Sequence, residues 1–485
     1  MIRDLPRLSS TLFDLLIVGG GIYGLSAAYD AAQRGLAVAL VERGDFGGAT
    51  SFNHLKTIHG GLRYLQTADV RRMREAIRER RAFARIAPRF VAPLPFVMPT
   101  SPTLTRNPLA MRAALAIDAV IASDRNRGLE PRLHLPPGRL VPASECRTFF
   151  EGLETGHLGA GAMWYDYEAV HNDRLTLAFA LGAAEGGAVL ANYAEALGPV
   201  KDHDGVKRIP ARDVRTNAGF EVRARLVVNA AGPWVSSLLA QSGVTRSWPL
   251  LKAMNLVTSR PARPAALVAP AKSGRAFVLL PWQGRSLVGT SESAREHAPD
   301  DRGADSGEVA SFLAEVNEAF RGLDLDASEV TLVHRGIVPA AKRDRRLTLL
   351  GHSQIIDHAQ DGLPGVMSIV GVKYTTARAV AQQAVDLILK KLRRPAVACR
   401  TAELELPTAG IEDAPAGDPM RRAIDVEMAQ TLADVVIRRT GVGAAGYPGD
   451  ELVARYGSSM QQILGWSADR TASEIAAVKN FYEIG

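Results

Sequence analysis

The stretch that decides the fold is "FDLLIVGGGIYGLSAAYDAAQRGLAVALVERGD", Phe13–Asp45. An apolar run of strand length leads into glycines, an alanine-rich helical pattern ends at Gly35, and "LAVALVE" predicts a second strand. This order predicts a βαβ unit. Gly19, Gly21 and Gly24 occupy the GxGxxG positions, where the missing side chains permit a tight turn, close approach of a pyrophosphate, and close packing of helix on strand.

The second strand of this unit ends in an acid, Glu42. A carboxylate at that position can accept hydrogen bonds from a ribose. The GxGxxG pattern alone would be weak evidence for a dinucleotide site, because a glycine-rich turn in another kind of α/β protein could also contain it. Strand, helix, second strand and terminal acid together predict a dinucleotide-binding site.

Related signals recur far along the chain, which favours FAD over a nicotinamide cofactor. "ARLVVNAAGPWV" is a buried strand that runs into Ala231 and Gly232, a turn that can lie against a cofactor. "GVMSIVGVKYTTARAVAQQAVDLILKKL" repeats the order of strand, glycine turn at Gly371, and helix. The N-terminus of such a helix suits the negative charge of a reduced flavin.

Composition sets outer limits on the class of protein. The chain has 485 residues, 47% of them hydrophobic and 22% charged, which predicts two or three domains of an ordinary globular enzyme. The two cysteines, Cys146 and Cys399, lack metal-like spacing, so we predict no disulfide framework and no metal site. We expect no cleaved leader, because the N-terminal apolar run leads straight into the glycine motif with no small-residue cleavage site. We expect no membrane-spanning segment, because the apolar run 109–122 is short and contains charges.

Part of the formal charge of +7 lies in one arginine-rich segment, "RRMREAIRERRAFARIAPR". Apolar residues recur there at helical spacing, which is typical of an amphipathic surface helix. The alternative is that its arginines contact anionic lipid or a phosphorylated substrate. We predict no nucleic-acid partner, because no nucleic-acid motif accompanies the charge.

Six strings resemble the FAD-dependent glycerol-3-phosphate dehydrogenases, a family within the D-amino-acid oxidase-like flavoproteins. They are "DLLIVGGGIYG", "GATS", "KTIHGGLRYLQ", "VNAAGPWV", "LLPWQGRSLVGTSE" and "VGVKYTTAR", in order from about residue 13 to about residue 395. "IHGGLRYL" is the most specific of them. The chain resembles a divergent member of that family.

The resemblance implies where the cofactor and the substrate bind. Thr50 and Ser51 would lie beside the cofactor, and Gly60 and Gly61 would let the backbone approach the flavin. His59, Arg63 and Tyr64 would lie at the substrate, where the planar fork of an arginine suits a phosphate. Packing or a structural ion pair would also explain each of these three side chains.

The helix near the flavin supplies further expected site residues. Lys373 would stabilise the reduced ring, Thr375 would cap the helix or bond the flavin, and Arg378 matches another family position. The base that takes the substrate proton stays open among His59, His334 and Lys373.

Two positions depart from the family pattern where it contacts substrate. Val338 stands in place of an arginine, and Asn255 in place of a histidine. Arg335, predicted as catalytic, and Lys342 are nearby sources of positive charge. If this segment is a strand, however, Arg335 points away from the face of Val338.

We therefore predict an α/β protein whose Rossmann-like FAD-binding domain is assembled from separated segments, with an antiparallel-sheet substrate domain and a short helical C-terminal cap. After a Pro/Gly/Asp-rich linker at 408–419, helical runs are expected at 421–439 and 450–464. The expected domains are 11–95, 151–245 and 331–395 for FAD, 96–150 and 246–330 for substrate, and 408–485 for the cap.

The predicted activity is oxidation of a secondary alcohol of a small polyol phosphate, sn-glycerol 3-phosphate or a close analogue, with hydride passing to the flavin. Quinone or oxygen would be the electron acceptor. The protein would be cytoplasmic, and peripheral contact with the inner face of the membrane stays open. The alternatives are the same flavin chemistry on another sugar phosphate, a 2-hydroxy acid or an amine, or a flavin-binding subunit that turns nothing over.

Overall fold

The computed structural model describes residues 1–153, 160–344, 346–408 and 418–485. Its strands are β1 Leu12–Val18, β2 Val38–Val41, β3 Thr57–Ile58, β4 Ala92–Pro99, β5 Arg139–Pro142, β6 Ala160–Glu168, β7 Val189–Ala191, β8 Ala194–Ala196, β9 Lys201–His203, β10 Val206–Asp213, β11 Gly219–Asn229, β12 Leu250–Pro261, β13 Ala266–Pro270, β14 Ala276–Trp282, β15 Arg285–Glu292, β16 Val330–Arg343, β17 Arg346–Leu349, β18 Gln354–Asp357 and β19 Val366–Val370.

The α-helices are α1 Leu5–Ser10, α2 Ile22–Gln33, α3 Val70–Ile86, α4 Pro108–Ile121, α5 Ala143–Phe149, α6 Asn172–Glu185, α7 Val235–Gln241, α8 Ser306–Ala319, α9 Ala377–Lys391, α10 Pro419–Asp425, α11 Asp450–Leu464 and α12 Ala468–Tyr482. Short 3₁₀ turns occupy Leu62–Thr67, Pro131–Leu133, Gly232–Trp234 and Ala327–Glu329, and a π-helical turn occupies Asp434–Arg439.

The first sheet has a parallel centre, and its strands run in the order β18-β19-β11-β1-β2-β7. The predicted βαβ unit is confirmed, since β1 pairs in parallel with both β2 and β11. Residues 13–18 of β1 are buried, which is why this strand is an apolar run rather than an alternating one. Helices α2, α6 and α9 cover one face, where the Tyr29 and Phe179 rings meet edge to face at 5.9 Å.

The second sheet is mostly antiparallel, in the order β17-β16-β12-β15-β14-β13-β4-β6-β3, with β5 on β6. Its predicted strands in β4, β12, β14 and β15 are confirmed. Helix α8 packs on one face, with Phe312 against Phe277. The first sheet has the architecture expected for FAD binding, and the second has the architecture expected for the substrate domain.

The membership of strands in the sheets differs from the predicted division of the chain. Strands β3, β6 and β16 lie within segments 11–95, 151–245 and 331–395, which were assigned to the nucleotide-binding domain, yet all three belong to the second sheet. The reason is pairing: β6 pairs with β4 along its whole length, and β16 pairs with β12 from Val330 to Pro339. Sequence order does not reveal such long-range partners.

The C-terminal helices pack on the sheets, but the expected helix over 421–439 is two pieces. Helix α10 ends at Asp425, Met428 has a φ of +61°, and the π-helical turn begins at Asp434. Most of the predicted linker lies outside the described residues. In the π-helical turn, Arg438 and Arg439 both bind the buried Asp45 carboxylate at 2.7 Å, which ties the cap to the first sheet.

In the described part of the chain, the arginine-rich segment is the amphipathic α3, with Met73, Ile77, Phe83 and Ala84 buried. No described helix is long and apolar enough to cross a membrane.

Candidate cofactor and substrate site

A cavity of about 510 Å³ opens where the carboxyl ends of the parallel strands meet the second sheet. The first sheet contributes the glycine turn after β1, Glu42 after β2, the turn after β11 and the turn after β19. The second sheet contributes β12, β15 and β16. Of the predicted cofactor residues, those that line the cavity are Gly19, Gly21, Glu42, Thr50, Ser51, Ala231, Gly232, Gly371 and Lys373.

The glycine turn is shaped by its contact with the end of β11. Gly19 has a φ of +108°, and a Cβ on it would lie 2.5 Å from the Ala230 carbonyl oxygen. Only glycine fits there without displacing backbone. Gly24 does not line the cavity and instead packs against the Gly19 carbonyl, as expected for the third glycine, which serves helix–strand packing.

Glu42 is oriented by backbone amides. Its two carboxylate oxygens accept hydrogen bonds from Gly20 N at 2.6 Å and Gly44 N at 2.7 Å. Burial raises the pKa of Glu42, and these two amide bonds oppose that rise. Each oxygen still has a lone pair for a hydroxyl, so the carboxylate suits the ribose role that its position predicts.

Thr50 and Ser51 also line the cavity, and their side chains hydrogen-bond to α2 and β16. Ser51 Oγ accepts a hydrogen bond from Ile22 N at 2.9 Å, at the first turn of α2, while Thr50 Oγ1 donates to the Ile337 carbonyl at 2.7 Å. The "GATS" turn therefore joins the glycine motif to strand β16 of the second sheet.

Lys373 also lines the cavity. Its Nζ is buried and has no hydrogen-bond partner among the described residues, and it lies 4.3 Å from the centre of the Tyr64 ring. Burial, reinforced by the nearby Arg63 charge, lowers the pKa of Lys373 to about 7. An unpartnered, buried amine on a residue that lines a cavity points to a bound group that is not part of the chain.

Two arginines join Lys373 around Tyr64. The guanidinium carbons of Arg72 and Arg63 lie 4.5 Å and 5.8 Å from the same ring centre. Burial and then the charges of Lys373, Arg63, Arg80 and Arg72 lower the pKa of His59 well below its ordinary value. Positive charge therefore converges around Tyr64, although His59, Arg63 and Tyr64 do not themselves line the cavity.

Gly60, Gly61 and Thr375 also lie outside the cavity lining. Gly60 N donates to Asp166 Oδ1 at 2.6 Å, and Gly61, at a φ of +76°, leaves room for the Tyr64 ring. Thr375 Oγ1 accepts from His59 N at 3.3 Å and does not cap α9. The predicted contact of these three residues with the flavin stays a prediction.

Both departures from the family pattern face the cavity. Val338 lines it, and Asn255 accepts a hydrogen bond from Thr290 Oγ1 at 2.7 Å while donating to the Asn53 carbonyl at 2.9 Å. Arg335, predicted as catalytic, does not line it. Because side chains alternate along β16, its guanidinium lies 5.9 Å from the Phe481 ring centre, over α12.

The remaining candidate side chains make contacts outside the cavity. Lys342 pairs with Glu296 at 3.0 Å on the surface, and Arg378 pairs with the buried Glu79 at 2.6 Å. His334 is fully buried against Phe52 and does not line the cavity.

Sequence reasoning missed Arg72, His54 and Tyr374. The rings of His54 and Tyr374 stack with centres 4.4 Å apart, and both residues line the cavity. Burial, then the Lys56 charge, lowers the pKa of His54 to about 3, so its ring is neutral. His54 is five residues from the "HGG" motif, whereas Arg72 resembles the other arginines of α3 in sequence.

The residues present fit a flavin dinucleotide. The glycine turn, Glu42 and Lys373, whose buried amine has no partner among the described residues, line one continuous cavity. A cavity built between a Rossmann-like sheet and an antiparallel sheet in this way defines the class of two-domain flavoproteins.

Comparison with known proteins supports the assignment to the flavoproteins. The pattern of the FAD dependent oxidoreductase family, DAO, matches residues 14–387, and the chain belongs to this family. FAD is accordingly its cofactor. The fold is similar to that of the glycerol-3-phosphate dehydrogenase from Bacillus halodurans complexed with FAD, with a TM-score of 0.75 at 20% identity over 99% of this chain and 97% of that one.

Two curated relatives carry the same name. The chain is 30% identical to the glycerol-3-phosphate dehydrogenase of Synechocystis sp., over 84% of this chain and 75% of that protein. It is 32% identical to the mitochondrial glycerol-3-phosphate dehydrogenase of Mesocricetus auratus, over 81% of this chain and 55% of that protein. The chain thus spans about half the length of the mitochondrial relative. The predicted family resemblance is confirmed.

Gly19→Ala tests the glycine turn. We expect loss of bound FAD, because the new methyl group would meet the Ala230 carbonyl where the turn must lie close to the pyrophosphate. The measurement is flavin absorbance per mole of purified protein. Gly35→Ala is the matched control: its φ is +81°, but no atom lies within 4 Å of the added methyl group, so it should cost about 1 kcal/mol of stability and retain FAD. Full flavin content in Gly19→Ala would contradict the assignment.

Proposed function

We propose that this protein is an FAD-dependent dehydrogenase that oxidises the secondary alcohol of a small polyol phosphate, sn-glycerol 3-phosphate or a close analogue. The observation that carries the proposal is the convergence of Arg63, Arg72 and Lys373 on Tyr64 beside the cofactor cavity. A dianionic phosphate is the small group that such a cluster binds best. The names of the matched relatives support the same substrate.

FAD, when bound, supplies the hydride acceptor. The chain must then bind the phosphate, hold the carbon and take the hydroxyl proton. Arg63 is exposed and has no salt-bridge partner among the described residues, so its guanidinium is available to the phosphate. In this proposal Arg63 and Arg72 provide the charge that Val338 does not.

Lys373 is the proton acceptor in this proposal. Its pKa of about 7 leaves a substantial neutral fraction at ordinary pH, and its Nζ is unpartnered. The two other candidates fit less well. Burial and the neighbouring positive charges lower the pKa of His59, which weakens it as a base, and neither His59 nor the buried His334 lines the cavity. Once protonated, Lys373 would place a positive charge near the cofactor.

The first experiment is anaerobic. Wild-type protein mixed with glycerol 3-phosphate should lose its flavin absorbance rapidly, whereas glycerol should reduce it far more slowly because it lacks the phosphate. Arg63→Ala should lose on the order of 2–5 kcal/mol of this preference, with FAD still bound. Arg71→Ala, an exposed arginine at the start of α3, is the control and should keep it.

The other outcomes identify the alternatives. Reduction by an amine or a 2-hydroxy acid, but not by glycerol 3-phosphate, would show that Val338 and Asn255 define another substrate. Bound FAD that none of these compounds reduces would support a flavin-binding subunit without turnover.

The proton-acceptor role predicts a pH profile. Only neutral Lys373 can take a proton, so kcat/KM should fall about tenfold per pH unit below about pH 7 and level off above it. Lys373→Met should lower kcat by about 10²–10⁴-fold and abolish that limb of the profile. An unchanged profile in Lys373→Met would assign the proton to another group.

We further propose that the protein contacts a membrane surface through helix α4, and that its electron acceptor is a quinone. Leu104, Leu109 and Val120 are 89%, 77% and 75% exposed, and Ile117 is 47% exposed, so an apolar stripe faces outward along this helix and the turn before it. The inner face of α4, with Met111 and Leu115, is buried.

The charge beside this stripe favours anionic lipid. Arg74 and Arg81 of α3 both bind Asp124, just after α4, so the arginine-rich face of α3 lies next to the stripe. Arg71 and Arg78 of that helix are exposed. An apolar stripe flanked by arginines is typical of a surface that lies in the headgroup region.

Leu109→Glu combined with Val120→Glu should weaken binding to phosphatidylglycerol vesicles by about tenfold or more, because both apolar side chains become charged. The measurement is co-sedimentation with vesicles. Val214→Glu, another exposed valine, at 44%, is the control and should bind like wild type. Turnover with a dye acceptor should be unchanged in both. Equal binding of all three proteins would remove α4 from the interface and leave oxygen as the simpler acceptor.

A further inference from the structure

Three side chains from distant segments meet over the Glu42 end of the cavity. Arg43 donates to Asp300 Oδ1 at 2.6 Å, and the Trp234 indole Nε1 donates to the same oxygen at 3.1 Å. The Arg43 guanidinium carbon also lies 3.9 Å from the centre of the Trp234 ring. All three residues line the cavity. One Asp300 carboxylate oxygen thus accepts hydrogen bonds from both the Arg43 guanidinium and the Trp234 indole, and the guanidinium also stacks on that indole.

Each of these residues belongs to a different part of the fold. Arg43 directly follows Glu42 after β2, and Trp234 ends the 3₁₀ turn after β11, so both come from the first sheet. Asp300 lies in the connection between β15 and α8, residues 293–305, which we call the strap. The strap belongs to the second sheet, so the contact at Asp300 joins the two layers across the cavity.

The strap is firmly anchored at its base. The Lys252 side chain, only 3% exposed, donates to the Gly303 carbonyl at 2.8 Å and pairs with Glu308 at 2.8 Å. Ser293 N and His297 N donate to carbonyls of β12, those of Lys252 and Leu250, at 2.9 and 3.0 Å. The strap is therefore held to its own sheet at both ends.

The Asp300 side chain itself is exposed, although the next residue, Asp301, pairs with His297 Nδ1 at 2.6 Å and so anchors the strap here too. The side chains of Asp300 and Arg43 are 69% and 36% exposed, so salt screens their attraction. Although burial alone would raise it, the bonds from Arg43 and Trp234 hold the pKa of Asp300 below its usual range, so the carboxylate is ionised whenever the contact is closed at neutral pH. An exposed, charged contact on an anchored strap can open through rotation of the Asp300 and Arg43 side chains, without unfolding.

We propose that Arg43, Trp234 and Asp300 form a clasp that retains FAD, closing the strap over the adenosine end of the cavity. The end is identified by Glu42, whose carboxylate lies next to Arg43 at the position that binds a ribose. The clasp depends on FAD as the cofactor and is independent of the substrate proposed above.

The physical argument is that release of the dinucleotide must break both bonds to Asp300 at once. An isolated exposed ion pair contributes little to stability. Here the guanidinium is pre-oriented by stacking on the indole, and the carboxylate satisfies the indole N–H as well. The three residues are therefore positioning residues for the cofactor, and they should slow its departure without altering the reaction it carries out.

The test uses the FAD-loaded full chain and follows the recovery of free-flavin fluorescence after dilution. Asp300→Ala removes the carboxylate oxygen that accepts both hydrogen bonds and should speed FAD release on the order of tenfold. Glu296→Ala is the matched control, since it removes an exposed carboxylate of the same strap whose ion pair among the described residues is with surface Lys342, and it should release FAD at the wild-type rate.

Two further measurements make the outcome specific to the clasp. Arg43→Gln should also speed release, and Arg43→Gln combined with Asp300→Ala should be no faster than Asp300→Ala alone, since both act on one contact. Added salt should speed release from wild type but hardly from Asp300→Ala.

Asp300→Asn keeps a carbonyl acceptor for the indole while removing the charge, and it should fall between wild type and Asp300→Ala. Equal release rates in Asp300→Ala and Glu296→Ala would overturn the proposal, as would additive effects of the two single substitutions. Because the readout is flavin release rather than turnover, failure of the proposed dehydrogenase activity would leave this result unaffected.

Discussion

The close contact between the Gly19 turn and the end of β11 is the constraint on which the rest of the site depends. Parallel strands bring all their carboxyl ends to one edge, and at Gly19 the backbone of one turn packs directly on the backbone of the next. That packing places Glu42, Ala231 and Gly371 around a single cavity. The second sheet closes the other side through β12 and β16, so that neither sheet alone would enclose a dinucleotide.

Acidic and basic groups both line this cavity. The Glu42 carboxylate is held by backbone amides, and Lys373 is buried near two arginines around Tyr64. Crowding of like charge and burial disfavour the ammonium form of Lys373, which is the condition for it to accept a proton. The two guanidiniums supply the positive charge that favours an anionic ligand such as a phosphate.

The sequence predicted the parts of this arrangement that local pattern encodes. Strand, glycine turn, helix and acid are contiguous, so β1, α2, β2 and the placement of Gly19 and Glu42 at the cavity followed from spacing. Their contacts with the cofactor stay a prediction. Pairing between distant strands does not show in spacing, so the sequence could not reveal that β6 and β16 pair in the second sheet. The division of the chain into domains stays a prediction. Arg335 lies three residues from Val338, and strand alternation sends it to α12 instead of the cavity. Arg72 could not be distinguished from its neighbours in α3 until Tyr64 was placed beside it.

The ion pairs at Asp45 give the C-terminal cap a role besides packing. Asp45 lies three residues after Glu42, and its buried carboxylate is bound by two guanidiniums of the cap. Without those arginines a buried charge would be left uncompensated within the same short turn that orients Glu42 and Arg43. Occupancy of the cavity and docking of the cap are thus thermodynamically linked through four consecutive residues: whatever orders residues 42–45 from one side lowers the cost of ordering them from the other.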